Sequence, residues 1–213
     1  MLKKAVFGAG GFGREVLPMI RMSTELIYDL VFVEEDRNLI GTTCNGTAVI
    51  SIEQAISENR QFSVAVANPK SREAIVERLT RAGAHFFQAK AKNLITYDRT
   101  EIGEGAILCD NVVVTSNVRI GKHFHANFHC YVAHDCVFGD YVTLAPHVSC
   151  GGRLLVGDGV YIGAGVVIKQ GTALKPLSIG SGAVIGMGAV VTKEVAPNTT
   201  VFGNPARVME QRR

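Results

Sequence analysis

No stretch of this sequence reaches the ~18 uninterrupted apolar residues that a membrane-spanning helix needs, although 47% of its 213 residues are apolar. The opening MLKKAVFGAGGFG has too short an apolar run for a secretory signal, and no small-residue cleavage site follows it. Lys and Arg form no cluster that would mark a nucleic-acid stripe, and the net charge is only +3. No CxxC pair occurs, and the cysteines (Cys44, Cys109, Cys130, Cys136 and Cys150) are odd in number. A disulfide framework is therefore not expected, as suits a reducing compartment. Together these absences predict a cytoplasmic protein that binds neither nucleic acid nor membrane. The slight positive excess is compatible with an anionic small molecule. The length allows one large domain or two small ones.

What the sequence has in abundance is a repeat of six. From Ile102 the first position of each hexad is Ile102, Leu108, Val114, Ile120, Ala126, Val132, Phe138, Leu144, Cys150, Val156, Ile162 and Ile168. The fifth position runs from Ala106 to Val166 through small or apolar residues before Thr172. Gly is frequent at the second position, where it is expected to supply permissive dihedrals at a bend. The phase slips by one residue in LKPLS (174–178), where a bulge or small loop is expected, and resumes as IGSGAV, IGMGAV, VTKEVA. Amphipathic strands of a sandwich would instead alternate with period two and turn at irregular spacing. The period of six predicts a β-solenoid whose stacked coils bury the first and fifth positions. Cys130, Cys136 and Cys150 fall on those positions and read as buried small hydrophobes. The [LIV]-G-x-x-[small]-x hexad resembles that of the left-handed parallel β-helix, with triangular coils of three hexads each, which implies about five coils.

The N-terminal part reads differently. KKAVF (3–7) is expected to be a buried strand, followed by GAGGFGREVLPMI, in which Gly8, Gly10, Gly11 and Gly13 form a turn before a helix. A helix N-terminus there would offer free N–H groups to phosphate or carboxylate. LIYDLVFV (26–33) is a second expected strand, ending at Glu34, Glu35 and Asp36. FSVAVAN (62–68) is a third, before a helix over 71–82. The order strand, Gly loop, helix, strand, acid is the start of a Rossmann-like unit. The space before the solenoid holds only half a dinucleotide fold, which favours a mononucleotide or nucleotide-sugar. The bland alternative is a tight β–α turn that needs Gly for packing. The expected domains are 1–95, Rossmann-like, and 96–200, solenoid, with a C-terminal segment over 201–213.

Five of the six histidines, His123, His125, His129, His134 and His147, lie within 25 positions. None falls on an inward repeat position, so they are expected on outer faces or near subunit clefts. Two chemistries fit: three imidazoles holding zinc, as in a zinc-dependent hydratase, or a single general base. Around VAHDC (132–136) and GDYVTLAPHVSCGG, and in the closing VFGNPARVM (201–209), the sequence resembles a family of bacterial nucleotide-sugar acetyltransferases. It comprises the sialic-acid O-acetyltransferases and the N-acetyltransferases of bacillosamine- and perosamine-type aminosugars, which share the Rossmann-like N-terminal unit. The resemblance implies acetyl transfer from acetyl-CoA to the amine of a nucleotide-activated aminosugar, in a homotrimer with the site between subunits, in surface glycan synthesis. It implies His134 as base, with Asp135 raising its basicity, and direct attack without a covalent intermediate.

The same resemblance places Thr143, Gly152, Ala164 and Gly182 against acetyl-CoA. Thr143 departs from the His common in relatives. It places Gly10, Gly11 and Phe12 around the nucleotide phosphates, Glu34 and Glu35 near the ribose or base, and Asn127 near the sugar. Relatives often carry Asp-Asp in place of Glu34–Glu35, which leaves the base open among uridine, guanosine and thymidine. Lys193 or Arg207 would meet the CoA phosphates, with a solvated surface charge the bland alternative. A sugar O-acetyltransferase, the zinc hydratase and a non-catalytic nucleotide binder stay as rivals. The carboxylate of Asp135 could reach the His134 ring only if the chain bends between them.

Overall fold

The computed structural model describes residues 2–23 and 28–209. Strand β1 (Leu2–Phe7) lies in the middle of a parallel sheet, between β2 (Tyr28–Val33) and β5 (Gln61–Val64). A central parallel strand is covered on both faces, which is why Ala5, Val6 and Phe7 form an unbroken buried run. The full order is β3-β4-β2-β1-β5-β6, where β3 (Thr43–Cys44) and β4 (Thr47–Ile50) form an antiparallel hairpin and β6 is His85–Phe86. Helices α1 (Gly11–Met22), α2 (Ile52–Ser57) and α3 (Pro69–Arg81) complete the unit. The expected third strand stops at Val64 rather than Asn68. The chain turns there to make Asn68 the cap of α3, its side chain accepting from the Ser71 N–H at 3.0 Å. Residues 26 and 27 of the expected second strand lie outside the described residues.

From Ala89 onward the chain winds in coils whose strands pair with neighbours 18 residues away: Ile107 with Ala89 (107 − 89) and with His125 (125 − 107). Three such stacks form sheets of eight, six and five strands, one on each face of a triangular left-handed β-helix. Residues at positions one and five, among them Cys130, Cys136 and Cys150, fill its interior. Each fully buried Val, Leu or Ile contributes roughly 1.5–3 kcal/mol, and only stacking makes that burial possible, so the repeat and the fold are one fact.

Three expectations need correction. The solenoid begins at Ala89–Lys90, before the expected boundary at 95. That first coil carries Lys90 and Thr96 in register with the inward positions of Leu108 and Val114. Among the described residues no strand stacks beneath it, so these two positions need no apolar side chain, although Leu94 of the same coil still packs on the core. The second-position glycines are not there for their dihedrals. A Cβ on Gly103 would lie 2.5 Å from the Gly121 carbonyl oxygen of the next coil, so these glycines answer to close approach between coils. The bend falls at position four, where Asn111, Asn117, His123, His129, Asp135, Tyr141, His147 and Arg153 all have positive φ, between 51° and 62°. Glycines 105, 159 and 165 take the same place.

The one-residue phase slip is an insertion of five. Leu177 pairs with Leu154 across 23 residues rather than 18 (177 − 154), and the excess forms a loop over 170–176. The last coil ends with Thr200–Phe202 in the eight-stranded sheet, on which Arg207–Val208 folds back antiparallel. Among the described residues no helix is long and apolar enough to cross a membrane.

Candidate active site

His134 follows the strand Tyr131–Val132, on the edge between the six- and five-stranded sheets. Neighbouring side chains on an extended chain point apart. Asp135, however, has φ 59°, a left-handed conformation that Asp tolerates. The resulting bend brings its Oδ2 to 2.8 Å from His134 Nδ1. Nδ1 then carries the proton and donates it to the carboxylate, leaving the Nε2 lone pair free. Asp135 also accepts from Asn117 Nδ2 at 3.1 Å and faces the Arg153 guanidinium at 3.6 Å. The bond with His134 foremost, and that from Asn117, hold its carboxyl below the usual range. The imidazole is 44% exposed and lies over Gly152, where a Cβ would come within 2.8 Å of Cε1 and Nε2. Gly152 is thus the residue that leaves room for this ring. The adjacent Cys136 points inward, and burial pushes its thiol up to about 11, so it stays a thiol and not a nucleophile.

The same edge continues up the solenoid. Val132, Cys150, Ile168 and Val191 stack in register, so His134, Gly152, Gln170 and Lys193 follow one another at the corner. At its upper end the inserted loop and the last coil border a cleft of 620 Å³ lined by Lys169, Gln170, Lys175, Thr192, Lys193 and Glu194, the last of which pairs with Lys175 at 3.6 Å. Ala164 and Gly182 sit on the two other edges, after Tyr161–Ile162 and Leu177–Ile179. One chain therefore does not bring them beside Gly152.

On the N-terminal unit, Gly10 caps α1 without a side-chain hydrogen bond. A Cβ on Gly10 or Gly11 would meet nothing within 4 Å, whereas one on Gly13 would overlap the Gly8 carbonyl. Gly13 answers to helix–strand packing, and Gly10 and Gly11 leave an open face beside free N–H groups. The Glu34 carboxylate folds onto this loop and accepts the Ala9 N–H. Glu35 turns away to pair with Arg78 of α3 at 2.6 Å, both half-exposed. Asn127 Oδ1 accepts the N–H of Phe128 at 2.8 Å, a local contact that caps the solenoid bend.

The histidines divide among three places. His134 is on the edge already described. His129 and His147 are exposed and stack with ring centroids 4.9 Å apart. His123 and His125 do point outward from the solenoid, but they are 2% and 1% exposed, because the N-terminal unit packs over them. This corrects the expectation that they lie on accessible faces. Burial pushes the His123 imidazole down to about 4 and holds that of His125 well below its ordinary value. Among the described residues no group of three or more His, Cys, Asp or Glu is placed to hold a metal ion.

The seam between the two units is organised by Arg72 of α3, which is fully buried. Its Nε donates to the His123 carbonyl at 2.9 Å, Nη1 to those of Val66 and Ala67 at 2.7 and 3.1 Å, and Nη2 to Tyr141 O and Thr143 Oγ1 at 2.6 and 3.0 Å. Burial lowers its pKa to about 9, which leaves it charged at neutral pH. Thr143 is 3% exposed and donates its hydroxyl proton to Ala67 O at 2.8 Å. The placement of Thr143 against the thioester cofactor is therefore corrected: its hydroxyl is spent in the seam. Nothing in the sequence marks Arg72, whereas the recurrence of Gly, Asn, Asp and His at position four is visible in it.

Residues 3–79 match the family described as the PglD N-terminal domain. Over 213 aligned positions the chain is 46% identical to the GDP-perosamine N-acetyltransferase of Escherichia coli O157:H7, covering 97% of this chain and 96% of that one. Among solved structures, WeeI from Acinetobacter baumannii AYE superposes with a TM-score of 0.93 at 46% identity, over 98% of this chain and all of that one (100%). The acetyltransferase domain of PglB from Neisseria gonorrhoeae FA1090, solved with acetyl coenzyme A, gives 0.86 at 27% identity, over 97% and 98%.

Proposed function

The chain belongs to the hexapeptide-repeat N-acetyltransferases of nucleotide-linked aminosugars, and we propose that His134 is its general base and a GDP-linked 4-amino sugar its acceptor. It transfers acetyl from acetyl-CoA to the sugar amine. The observation that carries the base assignment is the 2.8 Å contact of His134 Nδ1 with Asp135, on a ring whose other nitrogen faces the solenoid edge. The amine attacks the thioester carbonyl, and His134 Nε2 takes the proton that the nitrogen must lose as the tetrahedral intermediate forms. Asp135 stabilises the imidazolium. The intermediate then collapses, the carbon–sulfur bond breaks, and the proton passes from the imidazolium to the leaving thiolate.

Acetyl-CoA is read as lying along the edge that runs from His134 past Gly152 to the lysine cleft. Strands in a sheet are about 4.8 Å apart, so His134 and Lys193, three coils apart, are separated by roughly 14 Å. That distance suits an extended pantetheine whose phosphates meet Lys169, Lys175 and Lys193. Gly10 and Gly11 receive the nucleotide phosphates with Phe12 beside them. Glu34 is nearer the loop than Glu35, which weakens the case for Glu35. The base is taken as guanine from the relative that acts on GDP-perosamine.

A trimer is part of the proposal. The Gly loop lies toward the eight-stranded sheet, whereas His134 sits on the edge between the other two. Within one chain the two sites face different ways, so a neighbouring copy is required to join them. The six-stranded sheet offers it an outward column that is apolar but for Ser149, with Ile95, Tyr131 and Val167 each more than 40% exposed. Ala164 and Gly182, on the remaining edges, would reach the cofactor only across such a contact. We place the enzyme in the cytoplasm, where acetyl-CoA and nucleotide sugars are made.

The test is thiol release from acetyl-CoA with GDP-, UDP- and dTDP-linked 4-amino sugars, for wild type and His134→Ala. The GDP sugar is expected to be preferred, with a loss of at least ~100-fold in kcat for the variant. Near-wild-type turnover by His134→Ala, or turnover confined to hydroxyl acceptors, refutes the reading.

A further inference from the structure

A fully buried arginine is a costly way to fill a seam, since the charge loses its hydration and must be repaid by directed acceptors. Arg72 meets those acceptors on three separate pieces of chain: the 66–67 loop of its own unit, and residues 123 and 141–143 on successive solenoid coils. An apolar side chain of the same volume would seal the seam without fixing its angle. A planar guanidinium with its donors in a fixed fork sets that angle.

The pieces it holds are the ones that border the nucleotide site. The 65–68 loop follows β5 and abuts the Gly loop, with the Ala65 carbonyl 3.3 Å from where a Gly8 Cβ would be. Arg72 Nη1 also stands 3.3 Å from His125 Nδ1, and the His125 ring packs on Phe12, in the first turn of α1, at 5.3 Å between centroids. One cation therefore ties both loops at the carboxyl edge of β1 and β5 to the solenoid. In open α/β sheets ligands bind at that edge.

We infer that Arg72 is a positioning residue for the transfer: it fixes the nucleotide-carrying loops against the solenoid and so sets where the acceptor amine arrives. The inference rests on the reading that the nucleotide occupies the Gly loop. The acceptor is a two-part ligand, with its nucleotide on one unit and its sugar at the solenoid edge that a neighbouring copy brings to it, so the angle of each unit on its own solenoid sets the distance between the two. Such a ligand gains from both contacts only while the two sites keep a fixed separation, through the effective concentration of the second site. GDP alone touches one unit and draws no such benefit.

The experiment is steady-state kinetics and direct GDP binding on the full-length enzyme, for Arg72→Lys and for the milder Thr143→Val. Arg72→Lys is expected to raise KM for the nucleotide aminosugar about ten-fold or more. The GDP Kd and the KM for acetyl-CoA should stay within about two-fold. Thr143→Val should move the aminosugar KM in the same direction by less, and it decides the matter if Arg72→Lys does not fold. A purely structural role would reduce the active fraction, lowering kcat and leaving every KM unchanged. An unchanged aminosugar KM, a parallel weakening of GDP, or a rise in acetyl-CoA KM for Thr143→Val overturns the inference. Gly11→Asp separates it from its premise: if GDP still binds that variant as to wild type, the nucleotide reading fails instead.

Discussion

Gly152→Ala should disable the enzyme through His134 and not through the cofactor. The added Cβ would lie 2.8 Å from both Cε1 and Nε2 of the ring, and 3.1 Å from the His134 carbonyl oxygen. Carbon atoms in contact prefer about 3.5–4.0 Å, so the imidazole must retreat by roughly 1 Å. It can move outward, being 44% exposed, but only by stretching its 2.8 Å bond to Asp135 to a length at which little hydrogen bonding remains. A misplacement of about 1 Å costs on the order of 100-fold in rate, or about 2.7 kcal/mol of transition-state stabilisation. Because the ring yields toward solvent, the unfolding free energy from urea titration should fall by no more than about 1 kcal/mol. The decisive assay is a double-mutant cycle in kcat. With the ring removed in His134→Ala, Gly152→Ala should cost less than about two-fold. If Gly152 acts instead by giving pantetheine room, the substitution will raise the acetyl-CoA KM in both backgrounds. A full loss repeated in the His134→Ala background, or a kcat within about three-fold of wild type, refutes the steric argument.

Stability should fall in acid. The His123 imidazole is lowered from 6.5 to about 4 in the fold, so the unfolded chain takes its proton first. The contribution is complete above pH 6.5 and is lost as the pH falls toward about 4. At 1.36 kcal/mol per unit it amounts to about 3 kcal/mol, and His125 acts in the same direction. Urea midpoints at pH 7.5 and 4.5 test this, and His123→Asn, which suits the left-handed φ of 51°, should flatten the dependence; a midpoint independent of pH would refute it. In the lysine cleft, Lys169→Ala, Lys175→Ala and Lys193→Ala should each raise the acetyl-CoA KM about three-fold, as exposed charges do, and less at high salt. Acetyl-pantetheine, which lacks the phosphates, should not discriminate, and equal effects on both thioesters would remove the lysines from phosphate binding.

The legible parts of the molecule are those where one residue type answers one local demand. Inward positions must be apolar wherever coils stack above and below, so the solenoid could be read hexad by hexad. Its first coil could not, because Lys90 and Thr96 face an open end. Arg72 was illegible for another reason. Its partners lie up to 71 residues away, and within KSREAIVERL nothing distinguishes it from a solvated helix arginine.

The histidine cluster shows how a backbone demand can imitate a functional signal. His123, His129 and His147 occupy position four, where φ is positive and where Asn, Asp and His are enriched for conformational reasons alone. Their clustering therefore has a backbone explanation. His134 stands at position three, which makes no such demand, and needs another. Asp135 meets both requirements at once, since the bend that recurs at position four from Gly105 to Gly165, here at Asp135, is what turns its carboxylate back onto His134. Gly there would keep the bend and lose the charge, and Glu would keep the charge on a longer arm. The pair HD is thus matched to this fold by the geometry of the repeat itself.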